Sequence, residues 1–190
     1  MPSARQTAIP DSPYDRLMAL PEGLTGEILN GRLHTQPRPS GAHMGVESAL
    51  QIELGGPFDR GRGGPGGWRI LVEPEIHFLR DQEVSVPDLA GWRRERLPRL
   101  PSDQRFEVVP DWVCEILSPS TERRDRHVKM PLYARHGVPH VWLIDPLKHR
   151  IEVFVLEAGA WRHPIVACGD TQIAAPPFEA VPLSLGDLWA

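Results

Sequence analysis

Proline cuts this chain into short pieces. Twenty-one of its 190 residues are Pro, about twice the usual ~5%, and they fall between short apolar runs rather than in one tract. Proline fixes φ and removes a backbone donor, so neither a long helix nor an uninterrupted central strand can pass through most of these positions. What remains is a fold of short elements joined by tight connections. The length suits one domain with a single substantial core. The expected division is a loose, polar, Pro/Ser-rich leader over 1–13 and one domain over 14–190.

Several classes are excluded early. No apolar run approaches the roughly 18–20 residues of a membrane span, and the N-terminus lacks the apolar stretch of a secretion signal. The expectation is a soluble, cytoplasmic protein with no membrane association. Cys114 and Cys168 cannot form a disulfide framework, and no CxxC or CxxH spacing suggests zinc. Net charge is −4, from 21 basic and 25 acidic residues, so no bulk positive field draws in nucleic acid or anionic lipid. A local basic patch stays open.

Periodicity orders the elements. In LTGEILNGRLHTQ (24–36) two short runs flank Asn30-Gly31, the strongest short hairpin signal, because both turn positions need positive φ. HMGVESALQIEL (43–54) has Val46, Leu50 and Leu54 at helical spacing, with Ser40 as N-cap. The glycine-rich stretch 55–68 lacks the lysine of a P-loop and reads as a flexible connection. Three strand-length runs follow, at 69–79, 83–92 and 111–118. A helix opens at Thr121, carries Val128, Leu132 and Tyr133 on one stripe, is kinked or divided by Pro131 and ends at Gly137. A strand pair, 140–145 and 150–157, precedes an amphipathic tail. The order predicts an α/β (α+β) sandwich with a mixed β-sheet flanked by helices and an N-terminal β-hairpin.

Two strand carboxylates stand out. In VSVPDLA, Asp88 shares a face with Val84 and Val86; in DWVCEIL, Glu115 shares a face with Val113 and Leu117. A charge among core-type neighbours is costly unless paired or bound to metal. Glu115 lies about three residues before its strand ends, a retreat of roughly 10 Å. Lys129 lies eight residues past Thr121, an advance of roughly 12 Å along a helix. If the helix folds back over its strand, Lys129 comes level with Glu115. Two acids and a lysine at one depth suit a metal ion and a phosphate held together.

These segments carry a resemblance. PDLAGW, then PDWVCEILSPST, then DRHVKMPLYARHGVPHVWLIDP are similar to the Uma2 family of restriction-endonuclease-like proteins, within the PD-(D/E)XK nuclease superfamily, from GEILNGRL to the terminal LGDLW. The resemblance implies a bacterial origin and a restriction-endonuclease-like fold. It also implies a metal-dependent endonuclease acting on nucleic-acid phosphodiesters, DNA first among them, with homodimerisation as the superfamily's habit. Asp88 matches the PD aspartate and Glu115 the (D/E) position. Leu117 stands where the superfamily lysine is expected, and Lys129 is its displaced counterpart. Asp88, Glu115 and the Ile116 carbonyl would then hold Mg²⁺ or Mn²⁺, and Lys129 would orient water or stabilise the phosphorane.

Other residues are auxiliary. Glu27 matches a recurrent family glutamate and is able to approach the metal from the hairpin, or it is only a hairpin-face carboxylate. His43 and Glu47 lie one turn apart; superfamily members lend an acid from this helix, although an exposed polar face is the simpler reading. Glu73, Glu75 and His77 share a strand face near Pro74. Asp125 is read as an ion-pair partner for Lys129, and Cys114 as a small core residue. Arg93, Arg94, Arg96, Arg99 and Arg105 follow the Asp88 strand in a stretch that nets +3, and Arg123, Arg124 and Arg126 flank the other side. They make either a phosphate-binding patch or a solvated face paired with the surplus acids. Most of the six tryptophans are read as core or subunit contact, with Trp68, Trp92 and Trp112, near the supposed cleft, as base-stacking exceptions. The competing functions are a catalytically silent domain that binds nucleic acid or a protein, and a metallohydrolase acting on a different phosphoester.

Overall fold

Asn30 and Gly31, at φ 51° and 72°, close a two-residue hairpin between β1 (Leu24–Leu29) and β2 (Arg32–Pro37), as the sequence predicts. The computed structural model describes residues 12–189, so most of the expected leader lies outside the described residues. Ser12 and Pro13 do not belong to a loose segment. Ser12 caps α1 (Pro13–Met18) in a reciprocal box with Asp15, and Pro13 takes the first helical position. The helix α2 (Gly41–Leu54) starts where expected, with Ser40 Oγ accepting the His43 N–H. It then runs into a π-helical turn, Gly55–Asp59, so the first residues of the glycine-rich stretch are helical rather than loop.

Two of the three expected strands are each divided in two. The run 69–79 becomes β3 (Trp68–Val72) and β4 (Glu75–Leu79), and the run 83–92 becomes β5 (Glu83–Ser85) and β6 (Leu89–Arg93). The breaks fall at Glu73-Pro74, where Glu73 takes φ 44°, and at Val86-Pro87-Asp88. Proline cannot donate to a central ladder, and each break moves the chain from one sheet to another. One sheet has the order β2-β1-β5-β4-β7, with β7 at Arg105–Phe106. The other follows β11-β10-β9-β8-β6-β3, with β8 (Trp112–Ile116), β9 (His140–Asp145), β10 (Arg150–Glu157) and β11 (Ala160–Trp161). The third pairing of β10 is with β12 (Ile165–Cys168). This second sheet is mixed: β8 and β9 run parallel and the other pairs antiparallel.

Three helical pieces connect β8 to β9. They are α3 (Glu122–Arg124), a π-helical turn (Asp125–Lys129) and α4 (Met130–Arg135). Pro131 lacks the N–H that an unbroken helix would need, which accounts for the irregular turn before it. Thr121 precedes the segment but its side chain makes no capping bond. Gly137, at φ 76°, ends it.

Alternation along β8 divides the core. Trp112, Cys114 and Ile116 face α2 and the C-terminal segment around Phe178 and Leu185. Val113 and Leu117 face α4 and the first sheet, through Leu29, Ile76, Leu132 and Tyr133. Trp68, Trp92 and Trp112 are at most 1% exposed, so all three are core and none is available for base stacking. Gly91 lies between the Trp68 and Trp112 rings, where an added Cβ would stand 3.2 Å from Trp112.

Candidate active site

Asp88 does not share a strand face with Val84 and Val86, because the strand ends at Ser85 and restarts at Leu89. It sits in the joint instead. The last ladder pair is Leu89 with Cys114, so Asp88 comes one residue further along, opposite Glu115. There its Oδ2 accepts the Ile116 N–H at 2.5 Å, and its Oδ1 lies 2.9 Å from His43 Nε2. Burial lowers the His43 pKa, yet the Asp88 carboxylate outweighs it and the imidazole is raised above its ordinary value. His43 is therefore buried and engaged, not part of an exposed polar face.

Lys129 arrives where the helix-over-strand estimate puts it. Its Nζ lies 2.7 Å from Glu115 Oε1, 2.8 Å from Glu115 Oε2 and 2.9 Å from Glu27 Oε1. Lys129 does not use Asp125 as its ion-pair partner among the described residues; Glu115 and Glu27 take that place. Tyr133 donates its hydroxyl to Glu115 Oε1. Glu27 Oε1 also accepts the Ser85 hydroxyl and the Val86 N–H, each at 2.9 Å. Glu27, Glu115, Lys129 and Tyr133 are all buried. Tyr133 and Ser85 escaped the sequence reading: Tyr133 was visible only as a member of an apolar stripe, and Ser85 carried no signal of its own.

This ground is short of positive charge. Lys129 faces two carboxylates, with Arg124 Nε at 3.8 Å from Glu27 Oε2 as the second cation, while Asp88 and Asp125 are buried nearby. Burial would raise Glu27, but Lys129, the Val86 N–H and Arg124 hold it below the usual range. The excess falls on Glu115, which burial pushes well up despite Lys129, with Asp125, Asp88 and Glu27 adding repulsion. On α2, Glu47 is raised to about 7 by burial and by the charges of Asp88 and Glu73. Its Oε1 is buried without a hydrogen-bond partner, as is Glu27 Oε2, which has only the longer ion pair with Arg124.

Such a donor set fits a hard divalent cation in charge and chemistry. Among the described residues no three His, Cys, Asp or Glu side chains already converge as a ligand set. Mg²⁺ does not need one, since it keeps several waters and takes one or two carboxylates. A cavity of about 300 Å³ opens beside Asp88 and His43, lined also by Arg38, Ser40, Ser118 and Ser120. Glu115 and Lys129 do not line it. Arg38 and the Ser118-Pro-Ser-Thr turn were missed in sequence because loop polar residues have no periodicity to mark them.

The basic stretch has other partners. Arg94 pairs with Asp59, Arg96 with Asp111, and Arg105 with Asp81 and Asp103. Arg93 lies over the Trp68 ring at 4.1 Å. β6 runs from Leu89 to Arg93, so this group starts roughly 13 Å from the Asp88 end. On the other side Arg126 is paired with Glu152 and Glu122, and Arg124 donates to Gln36. Among the described residues Arg99 and Arg123 are exposed and make no ion pair. Arg94, Arg96, Arg105, Arg124 and Arg126 thus each face an acid of the chain itself. Cys114 is core, its thiol pushed well up by burial.

No helix among the described residues is long and apolar enough to cross a membrane. A search of curated proteins gave no match. Among solved structures, one of a "putative nuclease belonging to DUF820" from Anabaena variabilis superimposes with a TM-score of 0.73 and 26% identity, over 93% of this chain and 96% of that one. The model of the Uma2 family, described as "Putative restriction endonuclease", matches residues 12–186. That match takes in the hairpin with Glu27, the joint with Asp88 and the strand and helix that bring Glu115 to Lys129, and the chain belongs to the Uma2 family.

Proposed function

We propose that this chain is a divalent-metal-dependent endonuclease that hydrolyses nucleic-acid phosphodiester bonds, DNA first among them. The observation that carries the reading is Asp88 at the end of the β6–β8 ladder, beside a cavity and next to a buried group of Glu27, Glu115 and Lys129. Asp88 and Glu115, with the Ile116 carbonyl, would hold Mg²⁺ or Mn²⁺ through oxygen donors. The bound ion supplies Lewis-acid polarisation of the phosphate and a water of lowered pKa.

The chain's own residues do the rest. His43 and the Ile116 N–H fix both oxygens of Asp88. Lys129 aligns Glu115 and Glu27, and from its buried position its charge favours the developing negative charge on the phosphate. Tyr133 and Ser85 orient the two glutamates and occupy lone pairs that water would otherwise take. Arg38, lining the cavity, meets a phosphate as a fixed, always-charged fork.

One observation favours the silent alternative: both oxygens of Glu115 already face Lys129. Incubation of plasmid and single-stranded DNA with Mg²⁺ or Mn²⁺ separates the two. Cleavage by the wild type that Asp88→Ala abolishes is expected. No cleavage under either metal, with the two proteins indistinguishable, rejects the nuclease reading.

A further inference from the structure

Glu75 is held from behind. Tyr14 donates its hydroxyl to Glu75 Oε1 at 2.9 Å, and His77 Nε2 lies 2.7 Å from the same oxygen. The Asp81 N–H donates to His77 Nδ1 at 3.0 Å, so Nε2 carries the proton and the imidazole donates to the carboxylate. Tyr14 and His77 are buried, and Gln104 donates to the tyrosine oxygen. Two donors thus fix one oxygen of Glu75, and the other is left for a hollow of about 700 Å³ that Glu75 lines. Such support from buried neighbours is the build of a recognition group. Glu22 and Glu73 line the same hollow, and no Lys or Arg does. Among the described residues the one ionic contact of these three acids is that of Glu75 with His77. Arg105 lies over the Tyr14 ring but is engaged by Asp81 and Asp103. The rest of the wall is apolar: Met18, Leu24, Val72 and Leu100 are 57%, 40%, 44% and 50% exposed. Four of the ten large hydrophobic side chains exposed among the described residues are gathered here, in a hollow within the size range of ligand sites.

We infer that this hollow is a docking site for a partner protein, through a segment that mixes basic and apolar side chains. Charge decides the sign of the ligand. Three carboxylates without a Lys or Arg repel phosphate, so nucleic acid is the wrong occupant. A metal ion is also wrong, because the three acids do not converge as a ligand set. A small polyamine brings the charge, but its thin methylene linkers leave Leu24 and Leu100 facing water. A peptide answers both features: Lys or Arg meets Glu22, Glu73 and the free oxygen of Glu75, while the stems of those side chains and their apolar neighbours cover Met18, Leu24 and Leu100. The hollow shares Thr25 and Glu73 with the cavity beside Asp88, so the docked segment lies at the edge of the candidate active site. Docking itself needs neither Asp88 nor a metal, and it stands apart from the nuclease reading.

The test is fluorescence anisotropy on the full chain at physiological salt, which screens diffuse attraction between a basic peptide and an acidic protein. The probe is a labelled, capped peptide of alternating leucine and arginine. Two comparison peptides carry glutamine for arginine or serine for leucine, and each is expected to bind about tenfold or more weakly. The double variants Glu22→Gln with Glu73→Gln, and Leu24→Ser with Leu100→Ser, change exposed positions only. Each should weaken binding of the probe by about tenfold, with circular dichroism unchanged. No binding of the probe, equal binding of either comparison peptide, or indifference to either double variant overturns the inference. Displacement of the probe by spermine at equal concentration does so too, since the occupant is then a small polycation. Binding that persists in Asp88→Asn, in a chain that cleaves no DNA with Mn²⁺, upholds the docking site while the nuclease reading fails. Cleavage by a chain that ignores the probe does the reverse.

Discussion

Glu27 and Lys129 meet at 2.9 Å with both side chains 2% exposed, tying the N-terminal hairpin to the segment after β8. Removing one partner of a buried pair leaves an uncompensated charge, which costs about 3–5 kcal/mol. Lys129→Ala should therefore destabilise the fold by roughly that amount in urea denaturation. Lys129→Met combined with Glu27→Gln and Glu115→Gln should recover much of the loss, yet stay inactive. Additive losses across the three sites would show that the group is not coupled.

Asp88 is held by the Ile116 N–H and His43, so Asp88→Asn keeps the shape and removes the charge. Cleavage is expected to fall by roughly a hundredfold or more, the scale of losing a positioned catalytic group, with the thermal midpoint little changed. His43→Ala should cost less activity than Asp88→Asn, because it removes an orienting contact rather than the carboxylate itself.

Glu47 makes a stability prediction with a definite sign. Its carboxyl is raised to about 7 from 4.5, so the folded chain binds the proton more tightly than the unfolded one. Stability from this group is full below pH 4.5 and is lost as the pH rises to 7. The ceiling is about 3 kcal/mol, and solvent around the half-buried side chain brings it to about 1 kcal/mol. Glu47→Gln should be more stable than wild type at pH 8 and indistinguishable at pH 4, measured by urea midpoints. Equal midpoints at pH 8 would remove the charge crowding that Asp88, Glu73 and Glu47 are argued to share.

What could be read in advance follows the range of the interaction. Asn30-Gly31, Ser40 and the Val46–Leu50–Leu54 stripe act within a few residues, and the hairpin and α2 stand where they predict. The Glu115–Lys129 contact spans fourteen residues and yields to strand and helix rise alone. Glu27 reaches Lys129 through a fold-level pairing, β1 with β5, which no local pattern encodes. The expected strands 69–79 and 83–92 run straight through Pro74 and Pro87, because nothing local tells a bulge in a strand from a change of sheet. The partners of the arginines are illegible for the same reason: Arg94 finds Asp59 and Arg96 finds Asp111 only once the sheets are assembled. The box formed by Ser12 and Asp15 did carry a local signal, hidden because Pro13 reads as part of a disordered leader.

Cation binding offers a test that needs no substrate. Glu27 and Glu115 share the buried ammonium of Lys129, and Asp88 and Asp125 are buried nearby, so an added divalent charge relieves repulsion in the folded state and finds no such site in the unfolded one. Ligand at a hundred times its Kd stabilises by about 2.7 kcal/mol, which for a chain of this size raises the thermal midpoint by roughly 5–10 °C. Mn²⁺ should give that rise in the wild type and little of it in Asp88→Asn. Lys129→Met is the informative third arm. With the competing ammonium gone, Glu115 loses its cation and Glu27 keeps only Arg124, and the Mn²⁺-induced rise should exceed that of the wild type, from a lower starting midpoint. An unchanged midpoint in all three proteins would mean that the acids are neutralised by protons and each other, and the metal would have no place in this chain's chemistry.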